Sequence, residues 1–552
     1  MSNQHLVVFT VGPVQSFIAS ARKTEDFWSG SYILSHIIRE AMKMLSELDP
    51  ECEFIFPKNI QETDIKSRHI ASMPNRFTAI VHKDAQGAAA ILQETEGHVR
   101  KVFYELCTFA IHSVFPSLDE QEKMILKEKA VKQIDVFFEV YWVIEPYDST
   151  INFQEVRERA EKRLGALKND KHYPGFVQYG LTCSVCKERE ALCLENIGLE
   201  DKYGDMKRKL VGTWKKRSEA YKVSKNAEDK EQKAGRIKDN EFLCGICLGK
   251  RTAWDYFTDK LGNKQVFHRF QSVLDIGEGD YYAILLMDGD NMGKWFSGEN
   301  KEDYSRVSER LAHFSQRVVP KIVERDYKGR LVYAGGDDVL AFLPVEEALR
   351  VAQKLRFAFS HPEHGLGEKA TASIGLIIGH KKAPLQSLLN NVRQLEKKAK
   401  GYVNPETNAK KNALALAVHT RSGEISVAIL PWEIETSRTV KLLQDIISLL
   451  LNDLSSTFIF HFSNAFFPLL YENEDYRKLE NREMMQVELH RLLKRSVKEG
   501  RKVESLDQHV ETLLKLHNVS KSSYDFLSLL KMLTFFKKSE GKKNEKADVK
   551  TG

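Results

Sequence analysis

The sequence predicts an α+β chain with two ferredoxin-like units, a linker domain built round two cysteine pairs, and a C-terminal helical bundle. Three observations carry this reading. Strand and helix patterns run β-α-β-β-α-β twice, from residue 5 to 144 and from 282 to 419. Two CxxC pairs, Cys183/Cys186 and Cys244/Cys247, lie between these stretches. From Glu433 onward, apolar residues recur at helical spacing. The domains implied are 1–150, 151–278, 279–432 and 433–552.

In the first unit, His5–Val11 reads as a strand and Gly12-Pro13 as its turn. Ser16–Leu48 is helical in pattern, with a break expected at Ser29-Gly30-Ser31. Strands Glu53–Phe56 and Arg76–Val81 follow, then a helix over Ala85–Phe109 and a strand over Phe137–Ile144. No carboxylate pair marks the strand ends of this unit. Arg22, Lys23 and Ser31 are candidates to face a phosphate or nucleotide, and equally candidates for a solvated helix face.

A charged helix over Gln154–Ala166 leads into the linker domain. Thiolates two residues apart on a tight turn can occupy two corners of a tetrahedron, so two such pairs fill all four corners of a structural zinc site. The competing readings are a redox pair or four unrelated buried thiols. The charged segment Lys202–Lys238 lies within the loop that the two pairs would close. That segment and the tail Lys537–Lys550 read as solvated or disordered chain, with phosphate contact as the other reading. Cys193 is a spare thiol, and Cys52 and Cys107 read as core.

The second unit holds the strongest signal. Arg330–Pro344, RLVYAGGDDVLAFLP, is two short apolar strands joined by Gly335-Gly336-Asp337-Asp338. Two carboxylates fixed together repel each other unless something positive sits beside them. A hard divalent cation with oxygen ligands fits; an ordinary acidic turn is the bland alternative. Upstream, strand Tyr282–Met287 is followed by Asp288 and Asp290, whose spacing of two puts both on one face of an extended chain. Gly289 and Gly293 allow close backbone approach. Two acidic strand ends separated by one helix, near Tyr304–Glu324, suit a two-metal nucleotidyl-transfer site. Helix Val345–Phe359, strand Ala370–Ile378, helix Pro384–Lys400 and strand Asn412–His419 complete the unit. Lys397, Lys398 and Lys400 suit a helix C-terminus; alternatively Lys400 holds a triphosphate.

Helices are expected over Val440–Leu454, Glu488–Lys498, Val510–Leu516 and Tyr524–Phe536, forming a docking module without catalytic residues. The 83 basic and 77 acidic residues leave a net charge of only +6, which points to no polyanion or membrane partner by itself. No basic region precedes the short apolar run Leu6–Val11, and no stretch of 18 apolar residues occurs, so a cytoplasmic protein is expected. A reducing compartment favours metal over disulfide for the paired cysteines.

GPVQSFIASARKTEDFWSGSYILS at Gly12–Ser35, the paired knuckles, DGDNMGKW at Asp288–Trp295 and YAGGDDVLAFLP together resemble the large subunit of type III-B CRISPR–Cas effector complexes. That family is the GGDD "CRISPR polymerase" with nucleotide-cyclase-like palm domains. The resemblance covers residues 1 to about 430. It implies a subunit of an antiviral complex with guide RNA, target RNA and other effector subunits. It implies that target pairing switches on condensation of ATP into cyclic oligoadenylates, with two Mg²⁺ or Mn²⁺ ions and one structural Zn²⁺. By that resemblance Asp288 and Asp338 are metal ligands, Asp290 and Asp337 assist, and the Gly289 carbonyl is a further ligand. Gly335, Gly336, Lys400, Ser31 and Lys23 then border the nucleotide. Many members begin with a histidine–aspartate nuclease domain. This sequence opens at the first palm and contains no His-Asp dipeptide, so no DNA cleavage is expected. A silent scaffold, a cyclic dinucleotide synthase and a template-directed polymerase are the competing functions.

Overall fold

The computed structural model describes residues 4–58, 70–148, 152–170, 177–223, 236–260, 272–298, 300–455, 457–471, 482–499 and 505–550. The chain forms two compact units. One holds residues 1–272, 291–317 and 332–336, the other 273–290, 318–331 and 337–552.

The first unit is built on a four-stranded antiparallel sheet. Its strands are β1 (Gln4–Gly12), β2 (Glu53–Phe56), β3 (Arg76–Val81) and β4 (Glu139–Tyr147). Their spatial order is β2-β3-β1-β4, that of a ferredoxin-like unit. Strand β1 is central, with Leu6 through Phe9 fully buried, as its unbroken apolar run requires. Between β1 and β2 run α1 (Gln15–Ala19) and α2 (Thr24–Leu48). The helix break lies at Ser20–Lys23, not at Ser29–Ser31. Ser29, Gly30 and Ser31 are buried inside α2; a Cβ on Gly30 would lie 3.1 Å from the Ile18 backbone, so the small residues serve packing.

Helices α3 (Ala85–Val114) and α4 (Glu120–Phe137) connect β3 to β4. Sequence reasoning missed α4. Its buried stripe is only Leu126, Ala130, Gln133 and Ile134 among Glu and Lys, too narrow to stand out. Helix α5 (Phe153–Asn169) inserts Phe153, Val156, Ala160 and Leu164 into a core shared with Leu6, Val8 and Val143. Helices α6 (Tyr203–Lys215) and α7 (Gly245–Lys260) belong to the cysteine region. The expectation of solvated chain over Lys202–Lys238 therefore fails in part: α6 buries Leu210, Thr213 and Trp214. Short α8 (Met292–Trp295) and α9 (Lys301–His313) follow, and α9 continues through wider π-helical turns at Phe314–Val318 and Lys321–Asp326.

The second sheet contains β5 (Tyr281–Gly289), β6 (Arg330–Gly335), β7 (Asp338–Leu343), β8 (Ala372–His380), β9 (Ala413–His419) and β10 (Ile425–Pro431). The order is β10-β9-β8-β5-β7-β6. Its β8-β5-β7-β6 core repeats the order of the first sheet, and β9 adds alongside β8 in parallel. Helices α10 (Val345–Phe359) and α11 (Leu385–Lys400) connect these strands. After a two-residue ladder of β11 (Glu433–Ile434) and β12 (Ser437–Arg438), the chain is helical: α12 (Thr439–Asn452), α13 (Thr457–Tyr471), α14 (Arg482–Arg495), α15 (Leu506–Val519) and α16 (Ser523–Lys550). Helix α13 went unseen in sequence because it is apolar nearly all round, which erases the helical period. The tail, expected as solvated or disordered chain, continues α16 as helical backbone. Among the described residues no helix is long and apolar enough to cross a membrane.

Candidate active site

Strand β5 ends at Gly289 and its pairing with β7 stops at Met287–Val339, so Asp288, still paired with Ser373 of β8, lies beside the β6–β7 turn. At that turn Gly336 adopts φ +68°, which a side chain resists. Asp288, Asp337 and Asp338 converge, with a carboxylate oxygen from each lying within 4.8 Å of the others. Asp288 and Asp337 are half-buried and Asp338 is exposed, so the cluster opens to solvent. Although Asp338 as a residue is exposed, crowding by protein atoms round the carboxyl groups themselves pushes Asp337 and Asp338 up, and the charges of Asp337 and Glu396 raise Asp338 further. The backbone N–H of Gly289 donates to Asp337 and offsets part of its shift. Three carboxylates at this spacing are a donor set for hard divalent cations.

Helix α11 supplies the cation already at the cluster. A Cβ on Gly375 of β8 would lie 2.6 Å from Glu396 N and Val392 O, so glycine there lets α11 lie directly on the strand. The last turn of α11 then brings Lys400 Nζ onto Asp288 Oδ2, with Glu396 3.4 Å from the same ammonium. Sequence reasoning singled out Lys400 but not Glu396.

Asp290 is not part of the cluster. Its side chain is 1% exposed, and its oxygens accept from Thr371 Oγ1 and Ser373 Oγ at 2.8 Å and from Asn412 N at 3.0 Å. Asn412 Oδ1 in turn accepts from Arg356 Nε at 2.6 Å. The expectation that Asp288 and Asp290 share a face toward metal is corrected here. The strand ends at Gly289, and the chain beyond it no longer keeps the two-residue alternation. Thr371, Ser373, Asn412 and Arg356 had escaped notice. The signal was present as two hydroxyl residues at alternate positions entering an otherwise apolar strand.

Ser31 and Lys23 belong to the first unit. Ser31 is buried in α2, and Lys23 Nζ donates to the Arg236 carbonyl. Burial, with the Arg251 charge behind it, pushes the Lys23 ammonium down to about 8. Arg22 is exposed.

The four paired cysteines also come together in the first unit, their sulfurs all within 4.8 Å. Cys186 and Cys244 Sγ are 3.9 Å apart, close to the ~3.8 Å edge of a tetrahedron with metal–sulfur bonds of ~2.3 Å. Val185 N–H points at Cys183 Sγ and Cys247 N–H at Cys244 Sγ, both at 3.4 Å. These donors stabilise thiolates, and the four sulfurs fit a closed zinc site. Cys107 and Cys193 are buried and Cys52 half-buried.

The residues following the second pair lock α7 to α2. Arg251 is fully buried and places its Nε and Nη2 on Asp26, its Nη1 and Nη2 on Glu241, and its Nη1 on the Arg236 carbonyl. Lys250, also buried, donates to the carbonyls of Phe17 and Ser20.

Comparison with known proteins agrees with this geometry. The Cas10/Cmr2 second palm domain matches residues 281–415, and the N-terminal region of CRISPR-associated protein Cmr2 matches residues 6–108. The chain is 27% identical to CRISPR system Cmr subunit Cmr2 of Pyrococcus furiosus over 78% of its own length and 63% of that protein's. It is 28% identical to a single-strand-specific deoxyribonuclease Cas10/Csm1 of subtype III-A from Streptococcus thermophilus, over 31% of its length and 22% of the other's. The chain thus spans less than two thirds of the length of either relative. Two solved type III-B Cmr-beta assemblies share the fold at 12% identity. The apo state gives a TM-score of 0.61 over 92% of this chain and 79% of that one; the state bound to cognate target RNA gives 0.62 over 97% and 83%. In its N-terminal region and its second palm domain, the chain thus resembles the Cmr2/Cas10 family of CRISPR-associated proteins.

Proposed function

We propose that the chain is the large subunit of a guide-RNA-directed effector complex, and that its second palm converts ATP into cyclic oligoadenylates when target RNA pairs with the guide. The convergence of Asp288, Asp337 and Asp338 beside Lys400 carries this reading. Two divalent cations held there, Mg²⁺ or Mn²⁺, would neutralise charge at the α-phosphate under attack and at the leaving pyrophosphate. Asp288, Asp337 and Asp338 are the side chains that would hold them, with the Gly289 carbonyl alongside. Lys400, released from Asp288, is close enough to take up a triphosphate oxygen. Gly336 leaves room for substrate against the turn, since a Cβ built there would meet nothing within 4 Å. The Cys183, Cys186, Cys244 and Cys247 site would hold one structural zinc. We place the protein in the cytoplasm, with guide RNA, target RNA and other effector subunits as partners. That assignment rests on the Cmr2 relationship and on the fold shared with the Cmr-beta assembly bound to target RNA.

The assay is incubation of the assembled complex with guide and target RNA, a divalent metal and labelled ATP or GTP. Cyclic adenylates from ATP alone, without primer or template, are the expected products. Cyclic products from GTP would indicate a dinucleotide cyclase, and primer-dependent extension a polymerase. Target binding without any product would make the chain a scaffold.

A further inference from the structure

The mechanism above leaves one buried carboxylate unused. Asp290 lies two residues beyond Asp288, yet its side chain is bonded by the start of β8 and the loop before β9 and not by the cation cluster. Thr371 precedes β8 and Ser373 lies within it; each hydroxyl donates to a different Asp290 oxygen at 2.8 Å. The Asp290 backbone N–H donates to Thr371 O at 2.8 Å, fixing the same turn from the main chain. From the loop before β9, Asn412 N–H donates to Oδ2 at 3.0 Å, in a conformation with φ +52° that follows Lys411 at φ +65°. Arg356 of α10, 5% exposed, secures that loop through Asn412 Oδ1. Asp290 therefore has donors on both of its oxygens, and no donor in the set comes from the acidic turn. A carboxylate so engaged has little capacity left for a cation, and leaving it would strand two hydroxyls and a backbone N–H.

We infer that Asp290 is a positioning residue: with Thr371, Ser373, Asn412 and Arg356 it clamps the end of β5, so that Asp288 and the Gly289 backbone face the cation site. The inference rests on the metal-centre reading of the Asp288, Asp337 and Asp338 cluster, and concerns only how that cluster is held in place. It makes an opposite prediction from the reading in which Asp290 is itself a ligand. Removing the hydroxyl donors loosens the clamp, which weakens cation binding if Asp290 positions. The same removal frees Asp290, which leaves binding unchanged or tighter if Asp290 ligates.

The test is Mn²⁺ binding to the full chain, read by electron paramagnetic resonance of free Mn²⁺, for wild type, Asp288→Asn, Ser373→Ala and Thr371→Val/Ser373→Ala. Outer supports of metal ligands typically change affinity about 10–100-fold, so the double variant is expected to raise Kd about tenfold, and Ser373→Ala about threefold. No carboxylate is removed in either variant. A melting curve identifies a double variant that fails to fold, and Ser373→Ala then decides alone. A Kd for Ser373→Ala within about twofold of wild type, or tighter, overturns the inference while wild type still binds Mn²⁺. Absence of Mn²⁺ binding by wild type overturns the metal-centre reading beneath it.

Discussion

Asp26 and Glu241 share one guanidinium in the first unit, whereas in the second Asp288, Asp337 and Asp338 cluster together and Lys400 pairs with Asp288. The first group is sealed from water, and Arg251 meets it with four hydrogen bonds, a fifth going to the Arg236 carbonyl. Burial alone would raise the Asp26 and Glu241 carboxyls, but the Arg251 charge more than offsets it and both are pulled down. In the second group nothing offsets burial sufficiently, and Asp337 and Asp338 are pushed up. Two ferredoxin-like sheets of the same strand order thus treat charge in opposite ways. A balanced buried network holds a fold together, while carboxylates left short of positive charge at a solvent-open turn offer a donor set to a cation.

The largest stability effect is expected at the cysteines. Metal analysis should find about one zinc per chain, and Cys183→Ser/Cys186→Ser should lose it together with folding free energy on the order of 10 kcal/mol for the knuckle. A zinc-free wild-type protein that melts normally would remove this element.

Arg251→Met comes next. Stranding Asp26 and Glu241 in the interior should cost about 3–5 kcal/mol, seen as a fall in the denaturant midpoint of the first unit. Its pH dependence has a definite sign. Folded-state values depressed below the ordinary carboxylate range mean that the unfolded chain binds more protons. The stabilisation in wild type is therefore complete above about pH 4 and is lost as pH falls through the depressed values. The Met variant should lack that loss. For Asp338 the shift is upward, so its sign reverses: the folded state binds more protons than the unfolded one. The cost appears as pH rises from the ordinary carboxylate range toward neutrality. Asp338→Asn should therefore stabilise the metal-free protein more at pH 7 than at pH 5.

Lys400→Ala is the smallest change. Losing a charge-assisted contact to phosphate should raise the KM for ATP about tenfold while the fold stays intact. An unchanged KM would assign Lys400 to holding Asp288 alone.

Sequence reading recovered the acidic turn and the paired cysteines because their chemistry is local. Gly-Gly-Asp-Asp between two apolar runs leaves little choice of conformation, and a CxxC pair brings its thiols together within one turn. The Asp290 clamp was illegible for the opposite reason. Thr371 and Ser373, Asn412, and Arg356 come from three places between 356 and 412; the β5–β8 and β8–β9 pairings bring the first three to one carboxylate, and Arg356 joins through Asn412. The buried network round Arg251 was hidden in the same way, since Asp26 and Arg251 lie 225 residues apart. Helix α4 and helix α13 failed on periodicity, one with too little apolar contrast and the other with too much.

The most direct measurement is labelled-ATP conversion by the assembled complex with guide RNA and Mg²⁺ or Mn²⁺, with and without target RNA, beside Asp337→Ala/Asp338→Ala. The account predicts cyclic adenylates only with target, and at least a ~100-fold loss in the variant, beyond what outer supports of a metal site usually contribute. Equal product from variant and wild type, or no product from a wild-type complex that binds its target, would contradict it.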